Sequence, residues 1–200
     1  MSHYYTDNSA LLSDRREFVY YFGNEEFRFM TDNGVFSKSG VDYGSYLLMK
    51  NTYREALGKS VLDLGCGYGP IGIIIKRFHP DLRMEMIDVN PRAVELARLN
   101  AEKNRETVTV SLCDDILKLD HSFDTIILNP PIRAGKITIF SLYEKSFQLL
   151  NGGGCLYIVI QKTQGAESSY RKLKDLFDET ELIDRDGGYH IYRARKLSTQ

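Results

Sequence analysis

Asn129-Pro130-Pro131, directly after the apolar run Phe123-Asp-Thr-Ile-Ile-Leu128, is the segment of this 200-residue chain whose residue types most plainly suit chemistry. An asparagine side-chain oxygen beside a proline carbonyl is a pair of hydrogen-bond acceptors with no strong base between them. Such a pair suits an sp² amine, a poor nucleophile because its lone pair is delocalised into a ring. Accepting its two N–H bonds favours a pyramidal nitrogen and aims the lone pair at an electrophile. Pro131 restricts Pro130 to an extended conformation, which holds that carbonyl in place before substrate arrives. The plainer alternative is a rigid strand exit. A double proline after a buried strand is also what a binding loop at the carboxyl edge of a sheet needs.

The electrophile is suggested by a second segment, Val61-Leu-Asp63-Leu-Gly65-Cys66-Gly67-Tyr-Gly69-Pro-Ile-Gly72, which reads as a strand, a glycine-rich turn and a helix. Gly65, Gly67 and Gly69 let the backbone of that turn, Cys66 included, approach a ligand where a Cβ would collide. Gly67-x-Gly69-x-x-Gly72 also satisfies the dinucleotide pattern, so a nicotinamide cofactor is the rival. Asp63 argues against it: a carboxylate just before the first glycine can meet a cationic amino group but repels a pyrophosphate. Asp88, followed by Val89, ends the next strand, where it can accept from two ribose hydroxyls with either cofactor. Cys113-Asp114-Asp115 offers a carboxylate for an adenine amino group, assigned to Asp114, although either aspartate could cap a short turn instead. These residues, with Asn129 at the neighbouring strand end, point to S-adenosyl-L-methionine. Its sulfonium carries its own positive charge and leaves as a neutral thioether, so direct transfer needs neither metal nor protein nucleophile.

The elements that must position these groups follow from periodicity. From Ser60 onward, short apolar runs alternate with helical segments, the signature of a parallel sheet wrapped by helices. Strands are expected at residues 60–64, 83–88, 107–112, 123–128, 154–161, 179–184 and 188–195, and helices at 70–78, 91–103, 137–150 and 166–177. Asn90 should cap the helix that Pro91 begins. Residues 151–154, Asn-Gly-Gly-Gly, should end a helix and turn into a strand. The last two strands, joined across residues 184–188, have no room for a helix and should pair antiparallel. Upstream, aromatic-rich stretches on either side of Gly23-Asn24 predict a β-hairpin, and Ser45 should cap a helix over residues 46–53.

Composition bounds the rest. A 200-residue chain with 42% hydrophobic residues suits one globular domain, read as an N-terminal hairpin and helix extension (1–54) followed by a cofactor-binding catalytic core (55–200). The start, MSHYYTDNSALLSDRREF, has no apolar export signal, and no run approaches a membrane span, so the chain reads as cytoplasmic and without membrane partners. Cys66, Cys113 and Cys155 form no CxxC pair and fit reduced thiols. His3, His79, His121 and His190 lack ligand spacing, so no metal is expected. A net charge of −1 supplies no global field toward nucleic acid; RNA contact would rest on local groups.

Asp63-Leu-Gly-Cys-Gly-Tyr-Gly69, Asp88 and Asn129-Pro-Pro-Ile132 together resemble the class I methyltransferases over the chain from about residue 55. The resemblance implies a Rossmann-like, mostly parallel seven-stranded α/β sheet with an antiparallel last strand, flanked by helices. Thr31-Asp-Asn-Gly-Val-Phe-Ser-Lys-Ser-Gly-Val-Asp-Tyr-Gly-Ser45 and Asn129-Pro-Pro-Ile-Arg-Ala-Gly-Lys136 are similar to the RsmC-like group, and especially to its short single-domain members. That group methylates the exocyclic amine of guanine in small-subunit ribosomal RNA. The resemblance implies ribosomal RNA or the small subunit as partner. Many amine methyltransferases carry an aromatic residue where Ile132 stands, stacking on the target base, so here the stack is missing or comes from elsewhere. Phe36 and Tyr43 are candidates for covering cofactor or base, or are simply packed. Lys38, Arg133 and Lys136 are candidate phosphate contacts, with solvated surface charge as the alternative; for Arg171, Lys172 and Lys174 solvated charge is the better reading. A protein glutamine or another amine as acceptor, and a catalytically silent SAM- or RNA-binding module, are the competing functions.

Overall fold

The computed structural model describes residues 12–198. The expectation drawn from the first eleven residues, and His3 with it, falls outside them. A two-stranded hairpin, β1 (Arg16–Phe22) and β2 (Glu25–Thr31), precedes α1 (Tyr43–Lys50). The rest alternates: β3 (Ser60–Leu64), α2 (Pro70–Phe78), β4 (Arg83–Asp88), α3 (Pro91–Lys103), β5 (Thr109–Leu112), β6 (Phe123–Leu128), α4 (Lys136–Leu149), β7 (Leu150–Gln161), α5 (Ala166–Leu176), β8 (Glu179–Asp186) and β9 (Tyr189–Arg195).

The seven-stranded sheet has the order β5-β4-β3-β6-β7-β9-β8, with β9 antiparallel to both its neighbours and the other pairs parallel. The strand order reverses at β3 and β6, and crevices at such switch points, outside the carboxyl ends of the strands, are where α/β sheets bind ligands. Leu64 pairs with Leu128, so the chain leaves β3 into the glycine turn and leaves β6 into Asn129 at the same height. Alternate residues of β3 serve opposite layers. Val61 packs with α1, α2, α3 and the hairpin, whereas Leu62 and Leu64 pack with α4 and α5.

The hairpin turns at Gly23-Asn24, with Gly23 at φ +58, and seats Phe27 and Phe29 in the core. Its outer edge would otherwise leave backbone groups without partners. Two asparagines one turn apart on α3 supply them: Asn104 accepts from the Arg28 N–H (2.9 Å) and donates to its carbonyl (2.8 Å), and Asn100 does the same for Met30 (2.7 and 2.8 Å). Asn100 also donates to the Tyr68 carbonyl at 2.8 Å, linking the hairpin to the glycine turn.

Asn90 caps α3 as expected, accepting from the Arg92 N–H at 3.0 Å. Three local expectations are corrected. Helix α1 starts at Tyr43 and is capped by Asp42, which is extended and accepts from the Ser45 N–H at 3.1 Å; the equally good capper Ser45 then lies inside the first turn. Residues 151–154 lie inside β7 rather than in a turn; the pairing with β6 slips there, and a Cβ on Gly154 would come within 2.9 Å of the Asp124 carbonyl, so the glycines make a bulge. Residues 184–186 belong to β8, and the turn into β9 is Gly187-Gly188 alone. Among the described residues no helix is long and apolar enough to cross a membrane, and no three His, Cys, Asp or Glu residues group as metal ligands would.

Candidate functional site

At the end of β3 the N–H groups of Gly65 and Cys66 both donate to the Ile87 carbonyl at 2.9 Å, which bends the chain over the end of β4. The glycines of this turn then divide by use. A Cβ on Gly65 or Gly67 would meet nothing within 4 Å, so their positive φ values (+75 and +58) shape a backbone cradle with open space before it. A Cβ on Gly69 would lie 2.7 Å from the Met86 methyl, and one on Gly72 2.7 Å from the Met86 Sδ. Gly69, expected at the ligand, thus serves with Gly72 to let α2 close on β4.

Two acids brace the cradle. Asp63 is 1% exposed, and its Oδ2 accepts from the Gly72 N–H at 2.8 Å. Burial, helped by nearby Asp88, pushes its carboxyl up to about 7. Asp88 accepts from the Gly67 N–H (2.8 Å) and the Asn90 N–H (2.9 Å), and burial raises its pKa too, against backbone hydrogen bonds from Asn90, Gly67 and Val89. Each carboxylate oxygen has a second lone pair, so bracing leaves acceptor capacity for a ligand. Two adjacent acids with raised pKa values, Asp63 buried and Asp88 partly exposed, favour a cationic guest and oppose a pyrophosphate. Tyr68, between Gly67 and Gly69, has a buried hydroxyl with no hydrogen-bond partner among the described residues. It packs edge-on against Phe18 and Phe29.

At the end of β5 the two adjacent aspartates part. Asp115 caps the short 3-10 turn Ile116–Lys118, its Oδ1 accepting from the Leu117 N–H (3.1 Å) and pairing with Lys145 at 2.9 Å. The Asp114 side chain is 75% exposed and pairs with Lys118 at 2.7 Å.

Beyond β6, the Asn129 amide donates to Ser45 Oγ at 3.0 Å, with Asp42 Oδ1 at 3.5 Å. Pro130 is buried, and its carbonyl carries no hydrogen bond among the described residues, whereas the Pro131 carbonyl accepts from the Ala134 N–H at 2.9 Å. Asn129 and Pro130 therefore both present unspent carbonyl oxygens. Ile132 sits over a cavity of about 110 Å³, shared with Lys136, Ile139, Phe140, Ile160 and Gln164.

The remaining expected residues separate. Phe36 is 64% exposed on the loop between β2 and α1, and Arg133 and Lys136 are exposed beside the Asn-Pro-Pro loop, with Lys136 Nζ 5.0 Å from the Phe140 ring centre. Lys38 is instead tied to Asp14 (2.8 Å) and Asn33. Tyr43 donates to Asp186 at 2.8 Å and packs on Tyr46 and Tyr189, which makes it a strut against the β8–β9 hairpin. Sequence reasoning missed Asp42, Asn100 and the Tyr68 hydroxyl. The aspartate three residues before Ser45 was a readable capping signal; the partners of the other two lie far along the chain.

A family model described as methyltransferase small domain matches residues 26–193. A Bacillus subtilis (strain 168) protein described as uncharacterized protein YbxB is 42% identical over 198 residues, 98% of each chain. The Escherichia coli ribosomal RNA small subunit methyltransferase C is 34% identical over 169 residues, covering 80% of this chain and 47% of that enzyme, so the chain spans under half the length of that relative. Among solved structures, the T. thermophilus 16S rRNA N2 G1207 methyltransferase (RsmC) in complex with AdoMet and guanosine has a TM-score of 0.83 at 23% identity, covering 93% of this chain and 52% of that one; the likeness is one of fold. S-adenosyl-L-methionine is the cofactor, and the open cradle at Gly65 and Gly67 with the cation-favouring pair Asp63 and Asp88 fits it. The chain belongs to the methyltransferase small domain family, and within the class I methyltransferases it resembles the RsmC-like group.

Proposed function

We propose that the protein methylates the exocyclic amine of a base in RNA, with guanine N2 of cytoplasmic small-subunit ribosomal RNA as the target. The observation that carries this reading is the pair of unspent acceptors, Asn129 Oδ1 and the Pro130 carbonyl, leaving β6 at the height where the glycine cradle leaves β3.

Bound S-adenosyl-L-methionine would supply a methyl group already activated by its sulfonium charge. In this reading Asp63 faces the ammonium of the cofactor, Asp88 the ribose hydroxyls and Asp114 the adenine amine, while Gly65, Cys66 and Gly67 give the backbone cradle. Asn129 Oδ1 and the Pro130 carbonyl accept the two N–H bonds of the target amine and turn its lone pair toward the methyl group. The rigid Pro130-Pro131 step holds one acceptor without a conformational search. The cavity under Ile132, with Phe140 on its wall, and the exposed Phe36 are the surfaces available to a flipped base, and Arg133 and Lys136 suit the flanking phosphates.

The test is transfer of radiolabelled methyl from S-adenosyl-L-methionine to ribosomal particles and to deproteinised RNA from cells lacking the gene, followed by nucleoside chromatography. Label in a methylated guanosine that disappears with Asn129→Ala is expected. Label confined to protein would move the acceptor to a glutamine amide, and tight cofactor binding without transfer would leave a silent binding module.

A further inference from the structure

An asparagine amide has nearly the same shape either way round, yet its two ends do opposite things. Facing the acceptor amine with its oxygen, Asn129 accepts an N–H; facing it with its NH2, it sets donor against donor. Among the described residues no hydrogen bond to Asn129 Oδ1 decides between them, so the decision falls to what meets its Nδ2.

Behind it stands the N-terminus of α1. Asp42 can only accept hydrogen bonds when ionised, and its Oδ1 already takes the Ser45 N–H at 3.1 Å while lying 3.5 Å from Asn129 Nδ2. Ser45 is 4% exposed, and its Oγ receives the same amide nitrogen at 3.0 Å. Turning the amide over would bring its carbonyl oxygen against a carboxylate oxygen, two acceptors with no proton between them. The element that does this is itself fixed: Leu47, Leu48 and Met49 bury its inner face, and Asn51 at its end donates to Asp184 at 2.9 Å.

Building on the amine-methylation reading above, we infer that Asp42 and Ser45 are positioning residues for transfer: the Asp42 carboxylate, which can only accept, sets the direction of the Asn129 amide, and the Ser45 hydroxyl, which can rotate to suit, anchors it at the shorter distance, so that its carbonyl oxygen stays outward and the site is selective for an N–H-bearing acceptor. The segment preceding α1 thereby belongs to the reaction centre, although neither residue touches substrate.

Asp42→Ala removes the carboxylate acceptor, and Ser45→Ala removes the hydroxyl partner and serves if the first variant folds poorly. Expected for Asp42→Ala and Ser45→Ala is a fall in kcat on the order of 10- to 100-fold, the scale of misplacing a catalytic group, with S-adenosyl-L-methionine affinity within about twofold of wild type. Asp42→Asn, whose single side-chain oxygen can take the Oδ1 place that serves both the Ser45 N–H and the Asn129 amide, should restore most of the loss. In an Asn129→Ala background neither alanine substitution should cost anything further. An equal fold loss in both backgrounds would mean a merely structural role and overturn the inference. A second readout needs no acceptor: the Asn129 side-chain amide protons in the cofactor-free protein should exchange slowly with solvent and do so faster in Asp42→Ala and Ser45→Ala. Unchanged exchange overturns the inference even if RNA is the wrong substrate. Absence of methyl transfer by the wild-type protein, with exchange altered as expected, overturns the amine-methylation reading instead.

Discussion

On the cofactor side of the site the cradle is already braced: buried Asp63 holds the first turn of α2, Asp88 holds the cradle to the cap of α3, and Asn100 fastens Tyr68 to the hairpin. On the acceptor side Phe36, Arg133, Lys136 and Ile137 stand exposed, and the loop after Pro131 relies on a single turn of 3-10 helix. A pocket formed before its ligand arrives loses little entropy on binding, so the first half is specified by the chain itself. The second half offers exposed side chains on a loop, so it specifies its guest less closely.

The sharpest way to break that comparison is Asn129→Ala. It should lower turnover by roughly 100-fold or more, the scale of removing one preorganised partner of the transition state, while calorimetric titration finds cofactor affinity nearly unchanged. Asp88→Ala should do the reverse. Its two backbone hydrogen bonds shape the cradle, and its loss should raise the cofactor Kd by about 10- to 100-fold, on the scale of hydrogen bonds to a charged group. Equal loss of cofactor binding in both variants would merge the two halves.

Protonation sharpens the contrast next. Burial raises Asp63 from 3.8 to about 7, so in the cofactor-free protein near pH 6 it largely keeps its proton. A bound ammonium favours the carboxylate, so binding must expel that proton, and affinity should fall about threefold to tenfold per unit as pH drops from 7 to 5.5. Folding runs the other way. Between about 4 and 7 the folded carboxyl holds a proton that the unfolded one has lost, so the stability this group contributes is fully present below 4 and is lost as pH rises through 7. Asp63→Asn should flatten both profiles; a wild-type affinity that ignores pH would remove Asp63 from the cation. The smallest effect belongs to the surface. Arg133→Ala and Lys136→Ala should each reduce the salt slope of RNA affinity by about 1, whereas Lys38→Ala, whose ammonium is held by Asp14, should leave it unchanged.

Much of the sheet was legible because β3 and β6 are short, largely buried and mostly apolar segments that alternate with helical ones, and because Asn90-Pro91 marks a helix start by local chemistry alone. The Gly65 and Gly67 cradle and the Asn129-Pro130 acceptors were legible for the same reason, since strand, turn and exit are consecutive in the chain. What escaped reading depends on distant partners. Asn129 meets Ser45 across 84 residues, and Asn100 meets Met30 across 70. The division between Gly65 and Gly69 depends on where Met86 of the next strand points. The triple glycine of residues 152–154 looked like a helix stop because the close neighbours that need it, the Asp124 carbonyl at Gly154 and Ser198 at Gly152, lie elsewhere in the chain.

The asparagine ladder on α3 also bears on how small this enzyme can be made. A chain begun at residue 55 would retain every residue of the cradle and the Asn-Pro-Pro loop, yet it would strand the amides of Asn100 and Asn104, bare the ring of Tyr68 where Phe18 and Phe29 now cover it, and leave Asn129 without its backing. The hairpin and α1 are thus no detachable prefix. Any minimal unit, shuffled domain or split-protein reassembly made from this chain has to carry them along.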